Sequence, residues 1–100
     1  MEHHDLILEQ ILRLIQPVRV ILFGSSAVDP TRAKDIDLLV VMPNGINRRA
    51  TSQMLQRNLR RYGKPVDIVV VTEADLIEHR DDFWTVIGPA VEKGRVIYAA

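Results

Sequence analysis

Apolar residues early in the chain fall at Leu8, Ile11, Leu12 and Ile15, three and four apart, which is the period of one helical face. Pro17 ends that helix, because it has no amide hydrogen to continue the ladder. Residues 18 to 23 are apolar and rich in β-branched side chains, and Gly24-Ser25 closes them, as in a buried strand entering a tight turn. Ser25 to Asp29 read as a short helical turn before Pro30 opens a loop. From Asp35 to Met42 a second strand begins with strict alternation, Asp35-Ile36-Asp37-Leu38, and ends wholly apolar. Pro43-Asn44-Gly45 turns the chain, and Asn47 caps a helix with Ala50, Met54, Leu55, Leu59 and Tyr62 on its apolar side and Gly63 at its end.

Lys64 to Thr72 form a third strand, with Pro65 at its start, where a missing N–H is tolerated. Thr72-Glu73-Ala74-Asp75 has the spacing of a helix cap and leads a short helix to Arg80. A further helix is expected from Asp82 through Phe83, Trp84 and Ile87, with a kink or break at Gly88-Pro89 and an end at Gly94. Arg95-Val96-Ile97-Tyr98 makes a short final strand. The expected fold is α/β: a small mixed β-sheet of three to four strands with helices mainly on one face, and acids gathered at one edge or open face.

One hundred residues, 47% of them hydrophobic, make a single domain over 1–100 with a modest core and no space for an accessory substrate domain. Thirteen basic residues balance thirteen acidic ones, so net charge gives no footprint of a nucleic-acid binder. The chain has no cysteine, which excludes disulfides, thiol nucleophiles and thiolate metal sites. No apolar run approaches a membrane span, and the first residues lack the plan of a signal peptide; the expected compartment is the cytoplasm. Arg48, Arg49, Arg57, Arg60 and Arg61 share one helix. Without interleaved aromatics or a nucleic-acid module they read as a solvated face, the last two complementing the helix dipole. His3 and His4 are expected to be solvated at a frayed terminus.

The candidate chemistry lies between the first two strands. Side chains alternate faces along a strand, so Asp35 and Asp37 project to one side with Cα atoms about 7 Å apart. Like charges that close repel unless a cation lies between them, and hard divalent ions such as Mg²⁺ bridge protein carboxylates to phosphates. Gly24 carries no Cβ to block a phosphate, and Ser25 offers a hydroxyl and an amide at a helical turn. Asp67 stands at the entry of the third strand as Asp35 and Asp37 do at the second.

Together, an apolar strand, Gly-Ser, a nine-residue spacer and Asp-Ile-Asp-Leu resemble the nucleotidyltransferase superfamily that includes DNA polymerase beta. The small size is similar to the minimal nucleotidyltransferases, or MNT proteins, antitoxins found beside HEPN toxins. This resemblance implies catalytic and metal-binding roles for Asp35, Asp37 and Asp67, nucleotide binding at Gly24, Ser25 and Ser26, two Mg²⁺ ions, and ATP or another NTP as substrate. It further implies Mg²⁺-dependent transfer of a nucleoside monophosphate to a hydroxyl, a tyrosine of a HEPN-type partner being the specific expectation. Family members often carry arginines just after Gly-Ser, where this chain has Ser26 and Val28; Arg32 and Lys34 are the cations left in the following loop.

Two rivals remain. One is a protein that neutralises its partner by contact alone. The other is a small-molecule transferase of the aminoglycoside-modifying kind, for which a homo-oligomer would have to supply the acceptor pocket. A dinucleotide-binding domain is excluded, since neither G-x-G-x-x-G nor G-x-x-x-x-G-K-[ST] follows the first strand.

Overall fold

The computed structural model describes residues 3–29, 31–59, 65–82 and 84–100. Its elements in chain order are α1 (His3–Leu14), β1 (Arg19–Phe23), α2 (Ser25–Val28), β2 (Ile36–Met42), α3 (Arg48–Asn58), β3 (Val66–Thr72), α4 (Glu73–His79), α5 (Ile87–Lys93) and β4 (Arg95–Ala99). The strands form one sheet in the order β3-β2-β1-β4. β1 is antiparallel to both β2 and β4, whereas β2 and β3 run parallel, so the sheet is mixed and the fold α/β as expected.

Strand alternation sorts the apolar side chains into two layers. Val20, Leu22, Ile36, Leu38, Val40, Met42, Val66, Ile68 and Val70 share a core with Ile7 and Ile11 of α1 and Leu55 of α3. On the other face Ile21, Leu39, Val41 and Val71 pack with Ile87 and Ala90 of α5 and with Leu76 of α4. The two long helices thus lie on one face, and two seven-residue helices cover part of the other. Asp37 and Asp67 fall in the odd-numbered alternation of β2 and β3, the layer of the short helices.

Several local expectations shift by a turn or less. On α1 it is Ile7 that is fully buried, while Leu12 is half-exposed. His4, expected in solvent, is buried because it precedes Ile7 by three residues on the inward face of α1. α3 starts where Asn47 accepts the Ala50 N–H but stops at Asn58, five residues before Gly63. Leu59 is already extended there and packs against the core. Tyr62 and Gly63 lie outside the described residues, as do Arg60, Arg61 and Phe83.

The last helix differs most. It does not run from Asp82 into a break at Gly88-Pro89; it begins at Ile87, which places both residues in its first turn. Proline is tolerated there because the first-turn amides have no intrahelical acceptor. Upstream, the Asp82 carboxylate accepts the Trp84 N–H at 3.0 Å and holds the chain in a turn.

Candidate functional site

The three candidate acids gather where β1 ends and β2 and β3 begin. Asp37 is the register partner of Phe23, the last residue of β1, and of Asp67 in β3. The parallel pairing therefore sets Asp37 and Asp67 side by side on one sheet face. Asp35 stands one residue ahead of β2, outside the strand in which it was expected, and its charge reaches Asp37. Asp35 and Asp67 are exposed and Asp37 is half-buried.

That arrangement strains Asp37 electrostatically. Burial, then the charge of Asp67, then that of Asp35, push its carboxyl above the ordinary value of 3.8, and a side-chain hydrogen bond with Asp67 adds to the shift. Two neighbouring carboxylates that cannot both ionise freely share a proton or take up a cation. All the donors are carboxylate oxygens, the set that hard divalent ions take. Among the described residues no three acid or histidine side chains converge closely enough to hold a metal ion as they stand, so the fit rests on the Asp37–Asp67 pair with Asp35 beside it.

The turn after β1 packs directly against Asp37. Gly24 has φ 67° and ψ −152°, a conformation for which side chains are a burden. A Cβ built on it would lie 2.7 Å from Asp37 Oδ2. Ser25 opens α2 and is exposed, as is Gly24. Ser26 points the other way, fully buried. Its hydroxyl donates to the Phe23 carbonyl at 2.7 Å and accepts the Asp37 N–H at 3.2 Å. Of the three residues expected at the nucleotide, Gly24 and Ser25 thus face solvent at the acids, whereas the Ser26 side chain faces the protein. Sequence reasoning did not find this inward hydroxyl, because nothing local marks a contact between residues eleven apart.

Other cations and aromatics take definite places. Val28 is 86% exposed. Arg32 is exposed; its N–H donates to Asp29 Oδ1 at 3.3 Å, and its Nε lies 3.7 Å from Asp29 Oδ2. On α3, Arg48 Nη1 donates to Asp75 Oδ2 at 2.8 Å and braces α3 against α4, while Arg49 and Arg57 are exposed. A shallow hollow of about 420 Å³ on α3 is lined by Ser52, Gln53, Gln56 and Arg57 and holds no acid. Trp84 is 99% exposed and so takes no part in the core. No helix among the described residues is long and apolar enough to cross a membrane.

Compared with known proteins, the chain matches one family, described as a nucleotidyltransferase domain, over residues 4–97. That span includes every acid and turn residue of the site. No curated protein matches, and no solved structure does.

Proposed function

The chain belongs to the nucleotidyltransferase domain family, and from that premise we propose that it transfers a nucleoside monophosphate, AMP from ATP, onto a hydroxyl. The observation that carries this reading is the pairing of Asp37 with Asp67 across parallel strands, against the open Gly24-Ser25 turn. In the reaction the acceptor oxygen bonds to the α-phosphorus, the bond from that phosphorus to the bridging oxygen breaks, and pyrophosphate leaves. Asp67, exposed at the strand entry, would orient the acceptor hydroxyl and take its proton. Asp37 and Asp35 would hold Mg²⁺ with Asp67, their mutual repulsion being what a cation relieves. When bound, the metal supplies neutralisation of the leaving pyrophosphate and alignment of the acceptor. Gly24 and Ser25 leave the phosphates a close approach to backbone.

The acceptor we propose is a tyrosine of a HEPN-type protein, with this chain as its antitoxin. The fully exposed Trp84 offers a contact for such a partner. A second reading, neutralisation by contact alone, is favoured by the apolar Val28 standing in solvent where the family often has an arginine. Incubation of such a partner with the protein, ATP and Mg²⁺, followed by mass spectrometry, separates them. Transfer predicts an added AMP that is lost in Asp67→Asn while Mg-ATP binding persists. An unmodified partner that is still neutralised refutes the transfer.

A further inference from the structure

We infer that Ser26 is a positioning residue, whose hydroxyl sets the place of Asp37 rather than contacting the nucleotide. Phe23 and Asp37 are partners in the last rung between β1 and β2, and the Ser26 hydroxyl touches both. It accepts the N–H of Asp37 at 3.2 Å and donates to the carbonyl of Phe23 at 2.7 Å. Its donor and an acceptor position are therefore engaged, its rotamer is fixed, and its side chain has no exposure through which to meet a ligand. Asp37 is gripped twice by the same turn: its backbone by Ser26, and its carboxylate by the space left where Gly24 has no Cβ. The Gly24–Ser26 segment is a mould for one carboxylate.

The consequence rests on the reading of Asp37 as a metal-binding acid. A carboxylate shared between a cation and a crowded neighbour must be held to a few tenths of an ångström for its oxygens to serve the ion. Removing the hydroxyl leaves the Asp37 N–H and the Phe23 carbonyl without that partner and loosens the rung on which the acid rides. Affinity for the metal should then fall, while contacts of the phosphates with Gly24 and Ser25 remain.

The test is Ser26→Ala, compared with the parent in three measurements: amide hydrogen exchange at Asp37 in the apo protein, Mn²⁺ binding by calorimetry, and ATP binding in EDTA. The expected result is faster exchange at Asp37, Mn²⁺ affinity lower by about five- to tenfold, and metal-free ATP binding unchanged. Thermal melting confirms that the variant is folded; a serine that served packing alone would lower the melting temperature and leave Mn²⁺ affinity as it was, overturning the inference. Equal loss of metal-free ATP binding would instead make Ser26 a nucleotide contact. A parent that binds no Mn²⁺ would overturn the reading of the acids and any role of Ser26 beyond the Asp37 backbone, which the exchange measurement reports by itself.

Discussion

Replacing Gly24 by alanine perturbs the site in two separable ways. The first is backbone: at φ 67° and ψ −152° an L-residue sits in a region nearly reserved for glycine, at a cost of about 1–3 kcal/mol. The second is contact: the new methyl would lie 2.7 Å from Asp37 Oδ2, closer than carbon and oxygen tolerate, so the carboxylate must leave its rotamer, adding about 0.5–1.5 kcal/mol. Together they predict a loss of roughly 2–4 kcal/mol in urea unfolding. Only the second contribution depends on Asp37. In an Asp37→Ala background the colliding oxygen is gone, and the next atom, Asp37 Cβ, stands 3.8 Å away. Gly24→Ala should therefore cost about 1 kcal/mol less there than in the parent, a coupling within the range that double-mutant cycles resolve. Strict additivity of the two substitutions would refute the contact, and with it the claim that Gly24 is small on account of Asp37.

Two further predictions concern pH, with opposite signs. Asp37 has a raised carboxyl value, so its favourable neutral form is fully present below 3.8 and the folded state loses stability as pH rises through the raised value. In EDTA, Asp37→Asn should be more stable than the parent above that window, by less than about 1 kcal/mol after solvent screening, and equal to it in acid; a variant no more stable at pH 7 would refute the strain. Asp75 is lowered, first by the Thr72 backbone N–H and also by the Thr72 hydroxyl and Arg48, so its contribution is present above 3.8 and lost as pH falls through the lowered value. Asp75→Ala should cost about 1 kcal/mol at pH 7 through loss of the α4 cap, and the deficit should shrink in urea melts near pH 3.

What the sequence made legible was whatever period and punctuation encode. The Asp-Ile-Asp-Leu run marked the start of β2, although the strand itself begins at Ile36, after Asp35, and the Thr72–Asp75 spacing marked a capping box that is present with both of its hydrogen bonds. Pairing is non-local: Asp67 could be set at a strand entry from the sequence, but its place opposite Asp37 follows from the parallel register of β2 and β3. The end of α3 and the start of α5 escaped for a related reason. Gly63 and Gly88-Pro89 are strong local signals, yet Leu59 leaves the helix for the core, and proline in a first turn is a beginning as readily as a break.

The two departures from the resembled family, at positions 26 and 28, are not alike. α2 is four residues long, so these positions stand on different sides of a single turn: Ser26 has no exposure and Val28 is 86% exposed. An arginine at 26 in this structure would have to displace a hydroxyl bonded to Phe23 and Asp37 and force a long cation into the protein. An arginine at 28 would meet only solvent. The first departure thus brings its own compensation, a grip on the acid, while the second removes a cation and puts nothing polar in its place. Among the described residues, the loop between α2 and β2 carries two cations close in sequence to the acids: Arg32, tethered to Asp29, and Lys34, which immediately precedes Asp35.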